Sequence, residues 1–296
     1  MMQYKKTAGD RAFDLLIAFF ILFVAAITLY PLIYVISMAI SDPLRAARGE
    51  VFLLPKGFSL EAIQTVLSDS NVVTYYYNTL WYTVVGTALG VIVTCLAAYP
   101  LSRPEFHARN VLMKLITFTM FFSGGLIPTY IVVTLFLHLY NSRWSIILPS
   151  LTAAWYVIVA RSYFQTIPEE ILESARLDGA SEFRIFGQLA LPLSKPILAV
   201  LALYFAVGYW NSYFPALLYL GKKELQPLAV YVRTVVINSS YSNVTNLASQ
   251  VNAEALLSML QLKYAVIVVS ILPMLLIYPF VSKYLEKGLM IGAVKG

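Results

Sequence analysis

Charge is the scarcest feature of this sequence. Only 12% of the 296 residues are Asp, Glu, Lys or Arg, whereas 59% are hydrophobic. A soluble domain carries about 25% charged residues, so a surface this poor in charge is solvated by lipid rather than by water. The composition excludes an ordinary soluble protein and predicts one embedded in a membrane. The net charge of +6 comes from basic residues that form no cluster, which argues against a nucleic-acid partner.

The residues that usually build redox, metal or catalytic sites are also few. Cys95 is the one cysteine, so no internal disulfide can form, and its apolar surroundings are typical of a packed helix. The two histidines, His107 and His138, are far apart in sequence. An intramembrane enzyme, the alternative from another class, needs paired carboxylates, a Ser–His pair or a metal cluster, and the sequence offers none. We expect no catalytic residue, metal or cofactor in this chain.

The sequence lacks a phosphate-binding loop as well. Residues 221–223 come nearest to the G-x-x-x-x-G-K-[ST] pattern, but they lack the upstream glycine and the hydroxyl residue. No charged residue lies deep in a long apolar segment, where an ion-coupled transporter usually needs one. If this chain moves a solute, we therefore expect a partner to supply the energy.

Six apolar segments reach the length of about 20 residues that a membrane-spanning helix requires. Lys and Arg are more frequent in the connections on the N-terminal side of the membrane, which predicts that both termini are cytoplasmic. We expect an all-α protein with a single transmembrane domain over residues 1–296, whose core lies at about 76–283. The predicted spans are residues 13–40, 76–101, 111–137, 144–163, 197–220 and 264–281.

The longest predicted inner loop, residues 166–192, has the pattern of a helix, a glycine turn and a second helix. Thr166 and Glu169 have the spacing of a capping box, and Ser181 is placed to cap the second helix. Gly179 is a typical C-terminal stop for the first helix. Two short capped helices are stiff, so this loop is suited to receive force from a soluble partner. The alternative is an amphipathic helix that lies on the membrane surface.

The same loop carries a motif that resembles the EAA loop of binding-protein-dependent ABC importer permeases. The family pattern is Glu-Ala-Ala, three residues, Gly, nine residues, Ile, one residue, Leu-Pro. Ser174 and Leu189 are mild departures from it. The segments ARLDGAS and LPLSKP are similar to the carbohydrate-uptake branch, which includes the maltose-type permeases, and the similarity extends over most of the chain. The matching residues are Glu173, Ser174, Ala175, Gly179, Leu189, Leu191 and Pro192.

The resemblance implies a type I ABC importer permease fold, with coupling helices that seat in a cleft of an ATPase subunit. It implies as partners a second homologous permease, two ATPase subunits, an extracytoplasmic solute-binding lipoprotein and an oligosaccharide substrate. The C-terminal cytoplasmic tail, residues 284–296, would also reach the ATPase through Val294, Lys295 and Gly296. The implied coupling residues are Glu173, Ser174, Ala175, Asp178, Gly179, Leu191 and Pro192.

Candidate substrate contacts lie in three of the predicted spans. Sugar sites combine aromatic faces with amide and hydroxyl groups inside a cavity. For each of these residues, helix packing is favoured over substrate contact, because polar side chains also bridge membrane helices. Import of an amino acid, phosphate or a metal chelate by the same architecture stays open as an alternative. The candidates are Asn78, Gly124, Gly125, Tyr209, Asn211 and Tyr213.

Overall fold

The computed structural model describes residues 8–245 and 261–277, and all of the elements in those residues are helices. This confirms the all-α prediction. Helices satisfy their own backbone hydrogen bonds, which a bilayer requires because lipid offers no partner. The helices are α1 (Ala8–Ala39), α2 (Pro43–Ala47), α3 (Glu61–Ser68), α4 (Ser70–Ser102), α5 (Arg109–Phe121), α6 (Leu126–Ile131), α7 (Trp144–Ile147), α8 (Ala154–Phe164), α9 (Glu169–Leu177), α10 (Glu182–Ile185), α11 (Leu191–Leu193), α12 (Lys195–Trp210), α13 (Phe214–Tyr219), α14 (Leu228–Thr245) and α15 (Gln261–Ile277).

Two helices, α1 and α4, are long and apolar enough to cross a bilayer alone. Three further candidates are pairs of helical segments bent by 112° between α5 and α6, by 52° between α7 and α8, and by 83° between α11 and α12. Counting each bent pair as one span gives up to five spans among the described residues. The span predicted at 264–281 runs past the end of α15 and out of the described residues, so the number six stays a prediction.

Three of the predicted spans are interrupted, a feature that their apolar composition does not reveal. Gly125 has a φ of 85°, a left-handed conformation that stops the chain from continuing as one helix. Pro215 lies in the first turn of α13, where its missing N–H removes the hydrogen bond that would continue α12. The interruptions fall at residues 122–125, 151–153 and 211–213, inside the spans predicted at 111–137, 144–163 and 197–220.

The described residues divide into two compact units, one formed by residues 8–70, 232–245 and 261–272 and the other by residues 71–231 and 273–277. In the first unit, a small core of Met38, Ala46 and Val51 fixes the segment that follows α1. The side-chain amide of Gln261 donates hydrogen bonds to backbone carbonyls at the end of α1 and so ties α15 to it.

In the second unit, α4 and α12 pack in close contact through glycine. A Cβ atom at Gly86 would lie 2.5 Å from the ring of Tyr209, and one at Gly90 would lie 2.7 Å from the ring of Phe205. The Tyr209 hydroxyl donates to the carbonyl oxygens of Ile147 and Ser150, at 3.3 and 3.1 Å, so its ring cannot readily move aside. The contact between α4 and α12 therefore depends on the absence of a side chain at these glycines.

We predict that Gly86→Ala destabilises the protein by about 1–3 kcal/mol, the usual effect of overpacking a well-packed core. The matched control is Gly208→Ala on α12, where a Cβ atom would meet nothing within 4 Å. The control gains helix propensity without a clash, so its stability should be unchanged or slightly higher. Thermal unfolding of the purified protein in detergent measures both variants, and equal unfolding temperatures would contradict the proposed packing.

Candidate coupling loop and membrane cavity

Residues 166–192 form the helix, glycine turn and second helix that their sequence predicts. Helix α9 ends in a Schellman motif, in which the Gly179 N–H donates to the Arg176 carbonyl and the Ala180 N–H donates to the Ala175 carbonyl, both at 3.0 Å. Gly179 has a φ of 77°, which side chains on an L-residue rarely allow. The chain thereby reverses at one residue and begins α10 at Glu182.

The start of the loop is stabilised differently from the prediction. The capping box of Thr166 and Glu169 does not form, because the Thr166 hydroxyl donates to the Tyr163 carbonyl at 2.7 Å and Pro168 occupies the N-cap position. The Glu169 carboxylate instead binds the guanidinium groups of Arg103 and Arg176. Two charge-assisted hydrogen bonds outweigh the single backbone N–H that a capping box offers to this carboxylate.

Arg176 joins three segments of the chain. Its Nη1 atom lies 3.0 Å from Oε1 of Glu169 and 3.3 Å from Oε1 of Glu105, and its Nε atom lies 2.9 Å from Oε1 of Glu182. The hydrogen bond with Glu182 is the main cause that raises the pKa of Arg176 above its usual value, so the charge is permanent. Arg176 therefore fastens α9 to α10 and to the connection after α4.

Arg103 also holds α9 in place. Its side chain is 6% exposed, and its Nη1 atom lies 3.2 Å from Oε2 of Glu169. Its other nitrogens donate to the Ser102 hydroxyl and to the Phe164 carbonyl, the last residue of α8. The buried Leu172 places the inner face of α9 in the core. One arginine thus links α9 to the ends of α4 and α8.

The outward face of the loop is apolar at two positions that the sequence argument missed. Leu177 is 89% exposed and Phe183 is 82% exposed. Leu177 follows Leu172 by five residues, and this spacing places the two side chains on different faces of α9. The spacing alone could therefore have shown that Leu177 does not belong to the buried face. Of the predicted coupling residues, Glu173, Ser174, Asp178, Gly179 and Pro192 are exposed, and Ala175 and Leu191 are partly buried.

Three predicted substrate residues line one cavity of about 500 Å³ within the second unit. Tyr209, Asn211 and Tyr213 lie in its wall, with Tyr156 stacked on Tyr204 at 6.0 Å. The cavity is bordered by two of the helix interruptions, at 151–153 and 211–213. Irregular backbone at membrane depth is tolerated where it lines a cavity or is buried in protein. All residues of this wall are uncharged, and they combine aromatic faces with hydroxyl and amide groups.

The other three predicted substrate residues lie elsewhere. The Asn78 amide donates to the carbonyls of Glu224 and Gln226, at 2.7 and 3.0 Å, and its oxygen accepts from Arg143 at 2.9 Å. These bonds use the Asn78 side chain to hold the connection between α13 and α14, so it does not belong to the cavity wall. Gly124 and Gly125 form the interruption between α5 and α6 and are exposed.

Residues 86–291 match the family of binding-protein-dependent transport system inner membrane components. The chain belongs to this family. It is therefore the membrane permease of an ABC importer, a transport subunit without enzymatic activity that works with a binding protein and a separate ATPase. This agrees with the family that the motif in residues 173–192 resembles.

The permease is similar to curated and solved proteins along nearly its whole length. It is 39% identical to Protein LplC of Bacillus subtilis, over 98% of this chain and 97% of that protein. It is also 39% identical to the polygalacturonan/rhamnogalacturonan transport system permease protein YtcP of the same organism, over 97% and 99%. A crystal structure of a bacterial ABC transporter involved in the import of the acidic polysaccharide alginate matches with a TM-score of 0.85 and 35% identity, over 95% of this chain and 99% of that chain.

We predict that Arg103→Met destabilises the permease by about 3 kcal/mol, because it removes the buried guanidinium that pairs with one oxygen of the Glu169 carboxylate and donates to the Phe164 carbonyl. Arg176→Met should cost only about 1 kcal/mol, since its side chain is more exposed and solvent screens its ion pairs. Arg184→Met is the control, because the exposed Arg184 pairs with the neutral Gln188 at 3.0 Å. Thermal unfolding should rank the three variants in this order, and a larger loss for Arg176→Met would reverse the roles assigned to the two arginines.

Proposed function

We propose that this permease imports an oligosaccharide that an extracytoplasmic lipoprotein delivers. The observation that carries the proposal is the 39% identity, over 97% of the chain, with a permease named for polygalacturonan and rhamnogalacturonan transport. Two further relatives, at 27% and 28% identity, are named for the transport of arabinooligosaccharides and maltodextrin, which are also carbohydrates. An amino acid, phosphate or metal chelate is the less favoured cargo.

The proposed assembly has one copy of this permease, a second homologous permease and two ATPase subunits. Both termini lie in the cytoplasm, and the ATPase subunits bind ATP and Mg, while this chain binds no cofactor. Residues 166–192 provide the contact with one ATPase subunit, through Leu177 and Phe183 together with the motif residues. The tail residues Val294, Lys295 and Gly296, which lie outside the described residues, are assigned a second contact. The motif residues of this contact are Glu173, Ser174, Ala175, Asp178, Gly179, Leu191 and Pro192.

The geometry of the loop supports this role in coupling. The exposed Leu177 and Phe183 offer apolar area to a partner on one side. On the other side, Arg103 holds α9 to the ends of α4 and α8, and Arg176 holds it to Glu105 in the connection after α4. A displacement of α9 by the ATPase is therefore passed to membrane helices rather than absorbed by a flexible loop. ATP binding favours the state in which the two coupling loops are closer, and so shifts the population of the membrane domain.

The cavity bordered by residues 151–153 and 211–213 is assigned to the substrate pathway. Tyrosine rings bind sugar rings by stacking, and amide and hydroxyl groups exchange hydrogen bonds with sugar hydroxyls. Asn211 and Tyr213 are therefore proposed to contact the oligosaccharide during its passage, whereas Tyr209, which is buried, is proposed to support the wall of the cavity. The aromatic, hydroxyl and amide groups of this wall suit a ligand that is rich in hydroxyl groups.

We predict that Leu177→Asp strongly reduces the amount of ATPase that purifies with the permease. A carboxylate at this position would lose its hydration inside an apolar contact, so the contact should weaken at least tenfold and uptake should fall with it. Leu67→Asp is the matched control, because Leu67 is an exposed apolar residue on α3, far along the chain from the loop. Full ATPase recovery with Leu177→Asp would exclude this face from the interface.

We further predict that Tyr213→Ala raises the KM for oligosaccharide import several-fold. The ATPase activity without substrate should stay near that of the wild type, because Tyr213 does not belong to the coupling loop. Tyr30→Ala on α1, an exposed tyrosine outside the cavity wall, is the control and should import normally. Uptake of labelled oligosaccharide into proteoliposomes gives the KM of each variant, and ATP hydrolysis without substrate gives the basal activity. An unchanged KM for Tyr213→Ala would remove the cavity from the pathway.

A further inference from the structure

The segment after α1 exposes a dense group of large apolar side chains. We call residues 51–58 the apolar loop. Phe52, Leu53, Leu54 and Phe58 are 54–72% exposed, whereas Val51 at its start is buried in the core of the first unit. Neither the coupling loop nor the membrane cavity includes this segment. Four such side chains close together in a short connection mark a surface that is covered by something other than water.

Hydrogen bonds hold the apolar loop against the last turn of α1. The Ser37 hydroxyl donates to the Leu53 carbonyl at 2.8 Å, and the Lys56 N–H donates to the Ser41 hydroxyl at 3.1 Å. The Ser59 N–H closes the loop on the Ile40 carbonyl at 2.9 Å. Because Ser37 precedes the end of α1, the chain folds back along the helix, and the backbone of Leu53 lies level with its last turn.

The length of α1 places this turn at the membrane surface. The apolar part of α1, from Leu15 to Ala39, has about 25 residues and a length of about 38 Å at 1.5 Å per residue. The hydrocarbon core of a bilayer is about 30 Å thick, and the headgroup layers extend it to about 40–45 Å. When Asp14 marks one surface, the last turn of α1 lies in the opposite headgroup layer. The apolar loop is tied to that turn and lies at the same depth.

We propose that the apolar loop is a lipid anchor that inserts Phe52, Leu53 and Leu54 into the bilayer interface where α1 ends. Apolar side chains at this depth bury about 5–10 Å into the boundary between headgroups and acyl chains. The exposed Lys56 at the turn of the loop is placed to attract lipid phosphate. The loop continues the surface of α1, whose membrane-spanning window has no buried residues, so one lipid-facing surface runs from the helix onto the loop.

Lipid accounts for this surface better than a protein partner does. The side chains at the tip are aliphatic or phenyl groups, and the exposed polar side chains at the turn of the loop, Lys56 and Arg45, are basic, which suits a headgroup layer that carries phosphate. Gly57, with a φ of 68°, allows the tight turn that brings Lys56 and Phe58 back to α1. A Cβ atom at Gly57 would lie 2.9 Å from Cβ of Asp42, so the turn is fixed rather than adaptable.

Fluorescence quenching in the assembled importer tests the anchor. Phe52→Trp and Leu54→Trp are introduced separately into the full chain, and the complex with its partner subunits is placed in nanodiscs of phospholipid with brominated acyl chains. The emission of the native tryptophans, four of which lie in this chain, is measured in the unmutated complex and subtracted. Arg48→Trp is the control, since Arg48 is exposed and charged in the same unit. We expect the bromolipid to quench positions 52 and 54 several-fold more than position 48, and aqueous acrylamide to show the reverse order.

Two results would overturn the anchor. Quenching of positions 52 and 54 by acrylamide as strongly as position 48, without quenching by bromolipid, would place the loop in water. Protection of both positions from both quenchers would mean that another subunit covers the loop. The measurement needs no transport, so either result leaves the proposed import of oligosaccharide untouched, and a failure of that import leaves the anchor untouched.

Discussion

The carboxylate of Glu169, held between the guanidinium groups of Arg103 and Arg176, is the interaction on which the coupling loop depends. A helix of nine residues such as α9 is not stable alone, because nucleation costs more than so few hydrogen bonds return. Tertiary contacts must therefore hold it, and they include Leu172 in the core and the ion pair of Glu169 with Arg103. A further such contact is the ion pair of Arg176 with Glu105. Since Arg103 is buried, solvent screens its pair weakly, and the helix is fixed in both position and direction.

The bilayer sets the second constraint, which is that each backbone hydrogen-bonding group needs a partner within the protein or in enclosed water. The interruptions at 151–153 and 211–213 break the helical hydrogen-bond pattern within predicted membrane spans, and both border the same cavity. Their shared location explains why they are tolerated. The Tyr209 hydroxyl supplies such a partner, because it shares its hydrogen between the carbonyls of Ile147 and Ser150 where the helical segment ends.

The sequence predicted what depends on composition and local chemistry. Apolar length identified α1 and α4, and Gly179 identified the turn of the coupling loop, because a left-handed residue after a helix has a local signature. The capping box failed because it was judged from the spacing of Thr166 and Glu169 alone. Arg103 lies 66 positions earlier in the chain, and nothing local distinguishes it from an ordinary arginine at the end of a span. Contacts between distant segments are the part that a single sequence does not reveal.

The same limit applies to the cavity. Tyr209, Asn211 and Tyr213 are close in sequence, so residue type alone sufficed to select them, whereas the opposite wall at 149–156 came from the fold. Asn78 had the same chemistry as these residues, but it is fully buried, and the connection at 224–226 and Arg143 use its whole amide. The exposed Asn211, in contrast, donates one hydrogen bond, to the Val207 carbonyl. A polar side chain in a membrane helix is thus a candidate for function only after its structural partners are known.

The coupling loop and the cavity are connected by two rigid helices, which gives the transport proposal a physical route. Helix α8 begins at the interruption beside the cavity and ends at Phe164, whose carbonyl accepts a hydrogen bond from Arg103. Its 11 residues span about 16 Å. Helix α4 ends at the same arginine and packs its glycines on Phe205 and Tyr209 of α12. Because close-packed helices shift as units rather than deform, a displacement of α9 reaches both walls of the cavity through these contacts.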